Sequence, residues 1–292
     1  MNYTKYPKNF AELEDDISNY DSSKFIILPI PYENTTTYVK GTALGPRAII
    51  DASINMEIYD EELDKDISKI GICTLNPLII DKSPEEMINE VSENTKKLID
   101  ERKFPVIIGG EHSITLGCVK AMSNSYDDIS ILQLDAHADL REEYDGSKYN
   151  HACAMKRCMD ACKNIVQVGI RSLSPEEAEF LKKNDMKLFW AKDIHDNSEW
   201  ETDAISLLSN NVYITFDVDV LDPSIMPSTG TPEPGGLNYY AILKFLKKVF
   251  ENKNVIGFDV VELCPNKNNV SPDFTVAKII YKMIGYKFNK KL

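Results

Sequence analysis

Residues 129–139 read ISILQLDAHAD, an apolar run that stops abruptly at three ionisable side chains, Asp135, His137 and Asp139. Five other runs share its character: FIILPIP (25–31), VIIGG (106–110), IVQVGI (165–170), VYITFDVDV (212–220) and VIGFDVV (255–261). All are rich in Ile and Val and nearly continuous, as strands buried on both faces must be. Helix signatures lie between them. Ser83-Pro84-Glu85-Glu86 and Ser174-Pro175-Glu176-Glu177 each offer an N-cap, a Pro at the first helical position and a Glu three residues after the cap. Asn238 opens NYYAILKFLKKVF, and Pro272 stands just inside the start of a last helix. Strands alternating with helices imply a three-layer α/β/α sandwich with a mostly parallel central sheet. No linker, low-complexity tract or repeat interrupts this pattern, so residues 1–292 are expected to form one α/β domain.

Composition narrows the function. The chain of 292 residues carries a formal net charge of −13, which argues against nucleic acid as partner and suits a cationic ligand better. No apolar run reaches the length of a membrane span, and MNYTKYPKNFAELEDD has no apolar signal core, so no membrane association is expected. The six scattered cysteines fit reduced, buried thiols, and a cytoplasmic location is expected.

In sheets of this kind ligands bind beyond the carboxyl ends of the strands, so polar residues where apolar runs end are the places to look. Four segments qualify: Gly109-Gly110-Glu111-His112-Ser113, Asp135-Ala136-His137-Ala138-Asp139, Asp217-Val218-Asp219 and Asp259-Val260-Val261-Glu262. In extended chain, alternate residues point the same way, which would put Asp135, His137 and Asp139 on one face and Asp217 and Asp219 on another. Converging carboxylates repel, and a bound cation removes that cost. Carboxylate oxygen with imidazole nitrogen suits Mn²⁺, Fe²⁺ or Zn²⁺. His112, Asp135, His137, Asp139, Asp217 and Asp219 are too many ligands for one open catalytic ion, but with bridging carboxylates they fit two ions roughly 3.5–4 Å apart.

Together, GGEHS, DAHADL, TFDVDVLDPS, PSTGTPEPGGL and GFDVVELCP, in this order from about Pro105 to Pro265, resemble the ureohydrolase family of arginases and agmatinases. GTALGPRAI (41–49) is similar to the family's N-terminal region. The resemblance implies the arginase-like fold and two Mn²⁺ per subunit, with a guanidinium cleaved to urea and an amine by a metal-bridging hydroxide. It implies one ion on His112, Asp135, Asp139 and Asp217, and a second on His137, Asp135, Asp217 and Asp219. Asp139 would hold the hydroxide and take its proton, Glu262 would pair with the substrate guanidinium, and His151 would shuttle protons. Two divalent ions against four Asp ligands and a hydroxide leave one negative charge, which attracts a guanidinium. The family generally forms homotrimers or homohexamers. Two departures stand near the site: Ala152-Cys153 follows His151 where many members have Gly, and Glu111 stands where Asp is frequent.

Residues 140–150, LREEYDGSKYN, lack the Asn/Ser-rich look of an arginase, and this loop and QVGIRS (167–172) resemble agmatinases. Agmatine is therefore the expected substrate, with Glu142, Glu143 and Asp145 the candidate contacts to its ammonium tail. The alternatives are another ureohydrolase (arginase, guanidinobutyrase, guanidinopropionase or formiminoglutamase), a metal-dependent deacylase of the same fold, and a binding protein without catalysis. A basic residue aimed at the substrate tail would favour the acidic guanidino substrates. His195 is expected at the surface, Cys153, Cys158 and Cys162 in the core, and Gly235-Gly236 in a turn near the site. Gly109-Gly110 is not a phosphate loop, since no Gly-Lys-Ser/Thr follows.

Overall fold

The computed structural model describes residues 1–5, 7–197 and 199–289. Its centre is a sheet of β1 (Phe25–Ile30), β2 (Ile72–Thr74), β3 (Phe104–Gly109), β4 (Ile129–Leu134), β5 (Asn164–Ile170), β6 (Lys187–Trp190), β7 (Asn211–Asp217) and β8 (Asn254–Val261). The strand order is β2-β1-β3-β8-β7-β4-β5-β6, and every pairing in it is parallel. The six expected strands are present. The edge strands β2 and β6 are additions, and β7 stops at Asp217, where a 3₁₀ turn over Val218–Val220 replaces the expected extended end.

Alternate residues of each strand feed two separate cores. Ile27, Leu132, Leu134, Ile214 and Phe216 pack on one face, with helices α1 (Gly45–Ser53), α5 (Tyr239–Asn252) and α6 (Ser271–Asn289). Ile26, Leu28, Ile131 and Tyr213 pack on the other, with α2 (Pro84–Asp100), α3 (Thr115–Ser123) and α4 (Pro175–Asn184). This is the three-layer sandwich that the alternating pattern implies. Both capping boxes form, at Ser83/Glu86 and Ser174/Glu177, and the Asn238 side chain accepts from Ala241 N.

Strand order decides which loops meet. β3, β8, β7 and β4 are the four central neighbours, and they lead to His112, Glu262, Asp217 and Asp135 respectively. Four of the polar strand ends thus open into one place without long excursions of the chain. The β3 end is the tightest. Gly110 N donates to Ile30 O at 2.9 Å, Glu111 N donates to Tyr32 O at 2.9 Å, and Gly110 O accepts from Glu262 N at 2.8 Å. A Cβ on Gly110 would lie 2.0 Å from Tyr32 O, a backbone atom that cannot swing away.

Gly110→Ala should therefore destabilise the protein by about 2–3 kcal/mol, measured as a lowered urea midpoint at unchanged slope. Wild-type stability in this variant would mean that the strand end relaxes more freely than its packing indicates.

Candidate metal centre and substrate cavity

The metal-ligand candidates converge as two adjoining groups. His112 Nδ1 lies 3.2 Å from Asp135 Oδ2, 2.9 Å from Asp139 Oδ2 and 3.5 Å from Asp217 Oδ2. His137 Nδ1 lies 2.8 Å from Asp219 Oδ2 and 3.7 Å from Asp135 Oδ1. Asp135 thus presents one oxygen to each imidazole. Two three-residue sets have ligand atoms close enough for an ion: His112, Asp135 and Asp139, and Asp135, His137 and Asp219. Asp217 stands beside the first set and belongs to neither, so of the two bridging carboxylates expected, only Asp135 is shared between the sets.

Turns, not strand alternation, aim these side chains. His137 N donates to Asp135 Oδ1 at 2.6 Å, and Asp219 N donates to Asp217 Oδ1 at 2.9 Å. Each is an Asx-type turn, in which a side chain takes the place of a ladder partner. Asp139 has φ 52° and Glu262 φ 66°, left-handed conformations that only a few per cent of non-glycine residues adopt, Asp more readily than Glu. Asp219 Oδ1 accepts from Ala136 N at 2.9 Å, which ties the β7 turn to the β4 loop and leaves Oδ2 facing His137.

The electrostatics show what the cluster lacks. Asp135, Asp217 and Asp219 are all at most 3% exposed. Burial, then Asp135 beside it, pushes the Asp139 carboxyl up to about 6, and burial with Asp219 and Asp135 raises Asp217 well above the carboxylate range. Burial works to lower His112 and His137, but the surrounding carboxylates outweigh it and raise both. As protein groups alone, the cluster holds protons on its imidazoles to offset converging negative charge. A divalent cation would do the same with better geometry, and the buried Nδ1 of His112, which faces carboxylates but makes no well-aligned hydrogen bond among the described residues, is the atom such an ion would take. The residues therefore fit a pair of hard-to-borderline divalent ions bound through oxygen and nitrogen.

Residues beneath the ligands set their orientation. His112 Nε2 sits 2.9 Å from Thr215 Oγ1, and Thr215 donates to Asp259 Oδ1 at 2.6 Å, which aims Nδ1 at the carboxylates. Asp259 also accepts from Thr115 Oγ1 at 3.0 Å and Tyr213 OH at 2.8 Å. Gln133 Nε2 donates to Asp135 Oδ2 at 2.7 Å and to His137 O at 3.1 Å, while Gln167 Nε2 donates to Ala138 O at 2.8 Å. Thr215, Gln133 and Gln167 are not among the site residues expected from the sequence. Their signal was a polar side chain inside an otherwise apolar strand.

A cavity of about 280 Å³ opens beside the cluster, lined by His137, Asp139, Asp217 and Asp219 and by Thr37, Arg141, Tyr144, His151, Glu177, Glu233 and Glu262. Glu262 is held by His112 N, which donates to Oε1 at 2.7 Å, and burial raises its carboxyl well above the usual range. His151 lies 3.7 Å from Glu262 through Nδ1 and 3.4 Å from Thr37 Oγ1 through Nε2, and burial lowers it to about 4. Glu111 is wholly buried beneath the mouth. Its carboxylate accepts from Asn34 N at 2.6 Å, Thr35 N at 2.7 Å and Thr35 Oγ1 at 2.7 Å. Thr35 in turn binds His151 N at 2.9 Å. Glu111 thus fixes the segment that leads to Thr37 and, through Thr35, ties His151 to it.

The acidic residues expected at the substrate tail lie elsewhere. Glu142 pairs with Arg157 at 2.6 Å and Lys156 at 3.3 Å, and Glu143 and Asp145 are exposed; none of the three lines the cavity. Glu177 and Glu233 take their place on the wall. Cys153, Cys158 and Cys162 are buried, free thiols, as expected of core residues. His195 is exposed on a short helix, and Gly235 adopts a turn at φ 84°.

Among the described residues no helix is long and apolar enough to cross a membrane. The chain is 40% identical to an N(1)-aminopropylagmatine ureohydrolase of Synechocystis sp., over 97% of this chain and 95% of that one. It is 35% identical to an agmatinase of Pyrococcus horikoshii, over 92% and 93% of the two chains. The agmatine ureohydrolase of Thermoplasma volcanium superposes with a TM-score of 0.88 at 31% identity, covering 96% of this chain and 94% of that one. An arginase of Medicago truncatula superposes at 0.78 with 26% identity, covering 91% and 88%. The arginase family model matches residues 23–285, and the chain belongs to the arginase family of ureohydrolases.

Proposed function

We propose that this ureohydrolase cleaves the guanidinium of agmatine to urea and putrescine, with two Mn²⁺ ions held by His112, Asp135, His137, Asp139, Asp217 and Asp219. The observation that carries this reading is the pair of carboxylate–imidazole groups sharing Asp135, with Glu262 on the wall of the same cavity. When bound, the ions supply hydroxide from water near neutral pH and polarise the group under attack. Glu262 receives the guanidinium, whose charge suits a carboxylate that burial otherwise disfavours. Asp139 holds the nucleophile in line and accepts its proton. His151, neutral at pH 7, relays a proton to the departing amine by accepting at one ring nitrogen as it gives up at the other. We read the protein as one cytoplasmic domain that assembles as a homotrimer or homohexamer. The exposed Leu44, Val270 and Phe274 around an apolar groove of about 620 Å³ suit a subunit contact.

Two other substrates have a specific observation in their favour. N(1)-aminopropylagmatine is named for the Synechocystis relative, and it extends the same cationic tail. An acidic guanidine such as guanidinobutyrate would find Arg141 on the cavity wall. That guanidinium, however, lies 4.6 Å over the Tyr144 ring and 3.9 Å from the buried Glu177 carboxylate, so its charge is already answered.

Metal analysis after manganese loading should give about two ions per chain; one ion would overturn the binuclear reading. Thr215→Val frees His112 from its anchor and should weaken metal binding tenfold to a hundredfold, read by titration with a competing chelator. Asp139→Asn should abolish urea release, because the amide cannot take the proton, and His151→Ala should slow it by about 10²–10⁴. A urea-release panel of agmatine, N(1)-aminopropylagmatine, arginine and guanidinobutyrate decides the substrate, and arginine turned over as well as agmatine would refute the agmatine reading.

A further inference from the structure

Outside the metal cluster, the cavity wall carries three carboxylates: Glu177, Glu233 and Glu262. Glu262 accepts from His112 N and faces His151. Glu177 is almost wholly buried, and both its oxygens are occupied: Leu140 N donates to Oε1 at 2.8 Å and Ser174 N to Oε2 at 2.7 Å, with Arg141 alongside. Glu233 differs. It is half-buried, and among the described residues no hydrogen bond or ion pair engages its carboxylate. A lone carboxylate on the wall of a cavity built for a cation is a charge without a counterpart until a substrate arrives.

The backbone around Glu233 is fixed with unusual thoroughness. Arg171 Nη2 donates to Glu233 O at 2.8 Å and to Asp219 O at 2.6 Å, and Arg171 Nε donates to Pro234 O at 3.1 Å. One guanidinium therefore clamps the Glu233 loop to the turn that carries a metal-ligand candidate. Asp222 Oδ2 accepts from Gly235 N at 2.8 Å and Gly236 N at 3.1 Å, closing the loop from its other side. Gly236 is packed so closely that a Cβ there would lie 2.5 Å from Asp222 N. Pro232 and Pro234 flank Glu233 and restrict its backbone further. Such preorganisation is wasted on a solvated surface charge, and it is what a recognition group needs.

We propose that Glu233 determines substrate choice by receiving the ammonium at the far end of a cationic guanidine, while Glu262 receives the guanidinium. This rests on the ureohydrolase reading above and goes beyond it by assigning the tail to a residue outside the loop 140–150. It explains how a cavity with Arg141 on its wall favours a cationic tail: Arg141 is occupied by Glu177 and Tyr144, whereas Glu233 is free.

The test compares agmatine with n-butylguanidine, which has the same guanidinium and chain but no ammonium. Glu233→Gln should lower kcat/KM for agmatine about tenfold, through KM, as expected for loss of a charged contact. Its kcat for agmatine and its kcat/KM for butylguanidine should stay within about twofold of wild type. Glu233→Lys should raise kcat/KM for guanidinobutyrate relative to agmatine. An equal loss on both guanidines would make Glu233 a merely structural residue, and no loss on agmatine would remove it from recognition; either result overturns the proposal. Calorimetric binding to the manganese-loaded protein separates this from the reading it rests on. Should wild type bind both guanidines but release no urea, the hydrolytic reading fails, and Glu233 still stands only if the Gln variant binds agmatine about tenfold more weakly and butylguanidine unchanged. No binding of agmatine by wild type overturns both.

Discussion

Mutual repulsion among buried carboxylates is the constraint to which this architecture responds. Glu111, Asp135, Asp139, Asp217, Asp219, Asp259 and Glu262 are each at most 7% exposed, and all lie at or just below one end of the sheet. Burying a carboxylate without compensation costs several kcal/mol, so each needs a partner. The protein supplies neutral donors for those that face away from the cavity: backbone N–H groups for Glu111 and hydroxyls for Asp259. For Asp217 and Asp219 it satisfies one oxygen with a backbone N–H and directs the other at an imidazole. The uncompensated side of the cluster therefore points at the space between His112 and His137. A cluster arranged in this way gains stability from a bound cation and loses it when the cation leaves.

Much of this was legible in the sequence because the fold is read from apolar continuity. The six central runs stand out since parallel strands covered on both faces must be apolar at every position. The edge strands β2 and β6 escape that logic. They have three and four residues, and β6 is only half-buried, so KLFW looks like part of a loop. The ligand candidates were legible for the opposite reason, as charges placed where apolar runs end. What the sequence cannot convey is how the chain turns there. Strand alternation suggested that Asp217 and Asp219 share a face, but the chain leaves the strand at Asp217 and an Asx-type turn sets their relation.

The tail side of the cavity was harder to read for a related reason. Local charge in residues 140–150 pointed to Glu142, yet its partner Arg157 lies fifteen residues further on, a pairing that composition does not reveal. Glu177 was visible as the Glu three residues after the cap in a capping box, and it does cap its helix through Ser174 N. The same carboxylate accepts from Leu140 N and so also anchors the loop after the DAHAD segment. Side chains with two duties give a sequence signal for only the local one, because the other partner is distant in the chain.

A division of labour follows from where these groups sit. The part of the cavity beside the carboxylate–imidazole cluster is built from the ends of four neighbouring central strands, whose spacing the hydrogen-bonded sheet fixes. The rest of its wall comes from three connecting segments: the one Glu111 pins through Asn34 and Thr35, the one Glu177 anchors at Leu140, and the one Arg171 clamps at Glu233. Each is tied to the framework of the strand ends through polar side chains, and connecting segments tolerate sequence change better than strands do. On the function proposed above, chemistry and specificity are carried by different parts of the chain, and a change in these segments would redirect the substrate without disturbing the ligand candidates.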